Sequence, residues 1–325
     1  MNRLLLLLGL AGLLAAAGCR KDDVVDCAPA TPATSNLTLA EFTLRNGVPV
    51  QSFTLTLGPT VGNQVITTSA GATITFPGSR FLLPNGTAAA GTAQVRIREI
   101  YSVPDMVLSN MPTQVVGTRR LLISGGEFSI QVWQNGTRLR LAPGVSRVVV
   151  NSPTPAGAAG GRQLVWQRLA AAVPDSAGWS RPASGDTVRS NGTGSATITS
   201  YTMPTPLDSV SWWNVDQLWS IYQTAQLGVV TVQTPAITAP STGSSYVFLR
   251  PVGLNGLVRL YPGAVPNRGQ GQLPLGANMV VAVLQSIDGQ LYFGTQPITT
   301  SNGLVVTPTL TAVSEADAIR LIRQL

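Results

Sequence analysis

The chain has 325 residues, 44% of them hydrophobic and only 11% charged, with 21 basic against 14 acidic side chains and a formal charge of +7. That length fits two modest domains, and the arginines are scattered rather than gathered into the basic stripe of a nucleic-acid protein, so no nucleic-acid partner is expected. Histidine is absent, which removes Ser-His-Asp and Cys-His nucleophile arrangements and the commonest ligand for zinc, copper and nickel.

Residues 1–18 join a positive Arg3 to an apolar run from Leu4 to about Ala17. The run is shorter than the roughly 20 residues that span a bilayer. Its flanks and its small-residue ending predict a cleaved export signal. The Ala15-Ala16-Ala17-Gly18-Cys19 ending resembles a bacterial lipobox and departs from it at Ala16, where Leu is usual. That resemblance implies that Cys19 becomes the mature N-terminus and carries acyl chains such as palmitate. Such chains anchor firmly, because each buried CH₂ contributes about 0.8 kcal/mol. The alternative is an ordinary signal cut after Ala17. Removing residues 1–18 takes away Arg3 and leaves 20 basic against 14 acidic residues.

Arg20-Lys21-Asp22-Asp23 is similar to the Lys-acidic-acidic export signal of surface lipoproteins of the Bacteroidota type. The resemblance implies an outer-membrane protein facing the cell exterior; the plain alternative is a solvated charged tether. Residues 19–36 as a whole read as a lipidated Cys followed by a flexible tether, rich in Pro, Thr and Ala. Cys27 is a bystander in it, and two cysteines in all make no disulfide framework.

From Leu37 the strand signals are dense. FTLTL (53–57), ATITF (72–76), AQVRIREI (93–100) and FSIQVW (128–133) alternate apolar with polar, the mark of half-buried strands. Asn46-Gly47, Asn85-Gly86 and Asn135-Gly136 punctuate them as turns, and the third predicts a tight hairpin. The ITFP strand (74–77), the Pro84-Asn85-Gly86 turn, Asp105-Met106 and the Ser124-Gly125-Gly126 step together resemble the ZU5-like β-sandwich of Bacteroidota-type surface-exposed lipoproteins, a family of unknown function. The resemblance covers about residues 65–145 and implies a fold, not a reaction. The first unit is accordingly expected over 37–150.

Residues 151–204 are expected to form a loop-rich connecting region, with QLVWQRL (163–169) as its one candidate strand. Asp175-Ser176-Ala177, Asp186-Thr187-Val188 and Asp208-Ser209-Val210 resemble the O-glycosylation triplet of Bacteroidota-type exported proteins, which implies modification at Ser176, Thr187 and Ser209. The alternative is chance in a chain rich in Ser and Thr.

A second sandwich-like unit is expected over 205–325. It opens on WWNVDQLW (212–219), which resembles the Trp-x-Asn-x-Asp segment that follows the ZU5-like unit in that family, with Val215 in place of the frequent Cys. Strands are expected in GVVTVQ (228–233), SYVFLRPV (245–252), GLVRLYPG (256–263), NMVVAVLQS (278–286), GQLYFG (289–294) and GLVVTPTL (303–310). Asp288-Gly289 is a second hairpin signal. SEADAIRLIRQL predicts a C-terminal helix capped by Ser314 and docked through Ala318, Ile319, Ile322 and Leu325. The fold class is therefore all-β: two β-sandwich-like units in tandem, a short C-terminal α-helix, and a cleaved lipoprotein signal in front.

Carboxylates are the only candidate acids and bases. Glu99 and Glu127 both lie in predicted strands and are able to be neighbours, but surface pairing with Arg98, Arg119 or Arg120 is the plainer expectation. A calcium site through Asp105, Asn110, Asn214 and Asp216 lacks any Asp-x-Asp-x-Asp-Gly loop, so no cofactor or metal is expected, and no catalytic residue is assigned. Trp212, Trp213 and Trp219 can form a sugar-stacking platform, or core. Arg96, Arg98, Arg138 and Arg140 fall in the polar phase of two predicted strands. If those strands adjoin, they form a ladder for phosphate or carboxylate groups of surface glycans; otherwise they are a solvated sheet face. The expected function is a non-catalytic adhesion, scaffold or binding role at the cell envelope, held to the membrane through Cys19, with surface glycans or envelope proteins as partners. Alternatives are a glycan-binding accessory lipoprotein for polysaccharide uptake and a carboxylate-dependent hydrolase.

Overall fold

The computed structural model describes residues 37–143, 147–158, 163–169, 178–181, 188–191, 200–205, 210–238, 240–262 and 267–325. In chain order these form α1 (Leu39–Asn46), β1 (Gln51–Leu57), β2 (Asn63–Thr67), β3 (Thr73–Pro77), β4 (Phe81–Leu82), β5 (Gly91–Ile100), α2 (Val103–Leu108), β6 (Leu122–Gln134), β7 (Thr137–Arg138), β8 (Arg140–Leu141), β9 (Val148–Pro153) and β10 (Leu164–Leu169). There follow β11 (Arg189–Asn191), β12 (Ser200–Thr205), β13 (Val210–Leu218), β14 (Leu227–Gln233), β15 (Gly243–Pro251), β16 (Val258–Pro262), β17 (Arg268–Pro274), β18 (Asn278–Ile287), β19 (Gln290–Thr299), β20 (Leu304–Val306), β21 (Thr311–Val313) and α3 (Glu315–Ile322). Strands dominate, as the composition predicts, and the chain is all-β with short helices.

Two sheets make the first sandwich. One has the order β1-β5-β6-β13-β10, with β7 beside β6; the other runs β11-β12-β9-β3-β2. The alternation read in β3, β5 and β6 places Ile74, Phe76, Val95, Ile97, Ile130 and Val132 in the core between them, each facing inward at period two. The opposite phase of β5 is exposed from Thr92 to Arg98 and buried at Ile100. Asn135 and Gly136 both take positive φ, at 50° and 76°, and close the expected hairpin with Gln134 opposite Thr137.

Membership of the sandwich differs from the sequence boundary. β13, expected to open the second unit, pairs with β6 on one side and β10 on the other. Its inward residues Trp213 and Val215 belong to the first core. The expected connecting region 151–204 likewise supplies β10, β11 and β12. The strands of the first sandwich therefore run on to Leu218, because burying the apolar phase of β6 and β13 in one core outweighs proximity in the chain.

The second unit is an eight-stranded sheet of order β20-β14-β17-β16-β15-β18-β19-β21. One face collects Val230, Val247, Leu260, Met279, Val281 and Val283 with Val306. On the other face Phe248, Ala282, Leu284, Leu291 and Phe293 pack with Phe42 of α1, Met106 of α2 and Ile322 of α3. Both faces of β18 are thus covered, which explains its unbroken apolar run. Asp288 and Gly289, with φ of 49° and 79°, turn β18 into β19. The strand β17 has no apolar signature. A Cβ on Gly269 would stand 2.9 Å from Leu260 Cβ, so glycine there permits the close approach of β17 to β16.

Two helices were not foreseen. Thr38 and Glu41 form a capping box that starts α1, and Asn46-Gly47, expected as a strand turn, ends that helix instead, with Gly47 at φ −65°. Ser102 caps α2, with Pro104 in its first turn. The C-terminal helix is as predicted: Ser314 accepts from the Asp317 amide, and Ala318 and Ile322 are buried.

Candidate functional site

The outer face of the first sheet, away from the core, divides into an open half and a buried half. In the open half the registers set three rows. Thr54, Gln94, Trp133 and Arg138 form one; Ser52, Arg96 and Gln131 the next; Arg98 and Ser129 the third. Directly opposed residues of an antiparallel pair share a face about 5 Å apart. Arg96, Arg98, Gln94, Ser52 and Thr54 are exposed, while Gln131, Trp133 and Arg138 are half-buried. Arg96 Nε donates to Gln94 Oε1 at 3.0 Å, and its guanidinium lies 5.3 Å from the centre of the Trp133 ring, a cation–π contact. Trp133 Nε1 in turn donates to Gln131 Oε1 at 3.1 Å.

The expected arginine ladder is therefore built differently. β5 and β7 do not adjoin; β6 runs between them and contributes Trp133 and Gln131. Arg96, Arg98 and Arg138 share the face, whereas Arg140 sits in the separate two-stranded β4–β8 sheet opposite Leu82. Trp133 and Gln131 were missed by the sequence reading, although FSIQVW places both in the polar phase beside the arginines. At the Arg98 end a cavity of about 130 Å³ opens against α1, lined by Arg98, Trp212, Val48, Ser109 and Met111. A larger cavity, about 290 Å³, lies elsewhere, between Tyr101 and the Gly253–Asn255 turn.

The buried half holds Glu127, Asn214 and Asp216, all at 0% exposure. A bulge in β6 sets four residues, Ser124 to Glu127, against the three from Asp216 to Asn214. Gly126 takes φ +136° there, and its Cβ position lies 2.9 Å from Tyr101 Cε1. Ser124 Oγ donates to Asn214 Oδ1 at 2.9 Å, and Asn214 Nδ2 donates to Asp216 Oδ2. Asn255 Nδ2 bonds the Ser124 carbonyl at 2.8 Å, tying in the second unit. Neither Glu127 oxygen has a hydrogen-bond partner among the described residues, nor does Asp216 Oδ1. Burial pushes the Glu127 carboxyl well up, the neighbouring Asp216 adds to this, and Arg168 opposes it. Burial likewise raises Asp216, against the hydrogen bond it accepts from Asn214. Both carboxyls are closed off from solvent.

Glu99 and Glu127 do not converge. Glu99 lies opposite Phe128 and Glu127 opposite Ile100, so they project from opposite faces. Neither makes the expected surface pair: Glu99 accepts from Gln51, Thr68 and Tyr101. Asp105 bonds Ser102 and Arg323, and Asn110 accepts from Arg259, so neither joins the Asn214–Asp216 pair, whose side chains bond each other. Among the described residues no group of three or more acidic, Cys or His side chains is placed to hold a metal.

The tryptophans also separate. Trp213, 1% exposed, is core of the sandwich. Trp212 borders the small cavity, and Trp219 packs edge-on against Tyr222, with ring planes at 79°. The three make no common platform. Cys19 and the triplet residues Ser176, Thr187 and Ser209 lie outside the described residues. Compared with protein-family models and with curated protein sequences, the chain matches none.

Proposed function

We propose that this chain is a non-catalytic, lipid-anchored binding protein of the outer membrane, displayed toward the cell exterior through Cys19. The observation that carries the binding reading is the contrast between the two halves of one sheet face. The carboxyls with raised proton affinity are sealed inside, while the open half offers arginines, glutamines and hydroxyls around Trp133. Groups of that kind hold a ligand without a general acid or base to act on it. The lipobox-like ending at Cys19, the charged residues after it and the ZU5-like landmarks support the location. Among the described residues no helix is long and apolar enough to cross a membrane, and the proposed attachment is the lipid itself.

The test is to incubate the purified protein with a panel of envelope and extracellular polysaccharides and to measure retention and new reducing ends together. Retention without new ends is the expected result. Reducing ends that disappear in Glu127→Gln or Asp216→Asn would establish the hydrolase reading instead.

A further inference from the structure

The open face carries information about its ligand. On β1, β5, β6 and β7 the only acidic residues are Glu99 and Glu127. The first is held inward by Gln51, Thr68 and Tyr101, and the second is buried. An approaching anion meets no opposing carboxylate from these strands. Arg96 is pre-positioned by Gln94 and Trp133; with Nε engaged, its recognising edge is the Nη1–Nη2 pair, the fork that matches a carboxylate. Arg98 repeats the charge two residues on, about 6.7 Å along the strand. Ser52 and Gln131 flank Arg96 in its row and Thr54 stands in the next row beside Gln94, and their neutral donors and acceptors suit hydroxyl groups.

We infer that the face of β5, β6 and β7 binds an acidic polysaccharide, a chain of hydroxyl-rich rings bearing spaced carboxylates. The inference rests on the binding reading above and names the ligand class of that site. Three arginines, Arg96, Arg98 and Arg138, set among neutral polar groups fit spaced charges better than a phosphate on every unit. Arg96 already covers one side of the Trp133 ring, which reduces the stacking surface that single-stranded nucleic acid uses. The cavity of about 130 Å³ beside Arg98 and Trp212 is sized for a ring substituent at one end of the track, with Leu44, 79% exposed, at its rim.

The test uses the detergent-purified wild-type chain with polygalacturonate, its carboxyl-reduced neutral counterpart, and single-stranded DNA, all at about 0.15 M salt, where surface charge is screened beyond about 8 Å. Polygalacturonate is expected to bind at least tenfold more tightly than the reduced polymer. Arg96→Ala and Arg98→Ala are each expected to weaken it about five- to tenfold without changing the melting temperature. Arg268→Ala, an exposed arginine on β17, is expected to leave binding unchanged. Equal binding of the reduced polymer, indifference to both substitutions, or tighter binding of DNA overturns the inference. Retention of the neutral polymer alone overturns the acidic ligand but leaves the binding function standing; retention of no polymer overturns both.

Discussion

Glu127 stands directly across from Asn214 in the β6–β13 ladder, so the acid that ends the Ser-Gly-Gly-Glu bulge and the amide of Trp-Asn-Val-Asp share one buried row. Through Asn214 the row continues to Asp216 and Ser124, and through Asn255 to the second unit. A polar seam thus runs where the two units meet.

The seam makes stability depend on pH. Carboxyls whose folded values are raised bind more protons in the native chain than in the unfolded one, whose glutamates titrate near 4.3. Stability is therefore full below that value and declines as pH rises through the raised values of Glu127 and Asp216. Glu127→Gln removes one of the two. Its melting temperature is expected to match wild type near pH 4.5 and exceed it at pH 8, by about 1–3 kcal/mol of stability. An equally steep decline in both proteins would refute the assignment.

The bulge itself depends on glycine. Gly126 has φ +136°, and a Cβ there would press on Tyr101 and Phe128. Gly126→Ala is expected to cost about 2–4 kcal/mol, read as a lower denaturation midpoint. Gly136→Ala meets no atom within 4 Å, so its expected loss is smaller and comes from backbone strain alone.

The neighbouring tryptophans give a contrast of a different kind. Trp213→Ala empties a fully packed site in the sandwich core and is expected to cost about 3–5 kcal/mol. Trp212, half-buried beside the Arg98 cavity, is expected to cost less than half as much. Thermal melts of the two variants decide this; equal losses would contradict the assignment of the adjacent residues to opposite faces.

How much of this was readable in the chain depends on the range of each signal. The period-two alternation of β5 and β6, the Asn135-Gly136 and Asp288-Gly289 turns and the Ser314-capped helix are local patterns, and each stands where the letters placed it. The start of α1 was equally local, since Thr38 and Glu41 spell a capping box, yet its eight residues lie against a strand-rich background. The place of β13 was not local. Ser124 and Asn214 are 90 residues apart, and nothing near Asn214 tells which sheet it joins. β17 escaped notice because its glycines remove the apolar phase that marks a strand. At the candidate site the arginines were visible in the polar phase, whereas the row joining them through Trp133 needed the register of three strands.

The proposed attachment at Cys19 is the claim on which the placement of the binding face outside the cell depends. Its most direct measurement is incorporation of labelled palmitate into wild type and Cys19→Ala in growing cells, with both proteins followed in the membrane fraction. The account predicts labelled, membrane-bound wild type and an unlabelled variant released from the membrane. Equal labelling of the two, or no labelling of either, would contradict it.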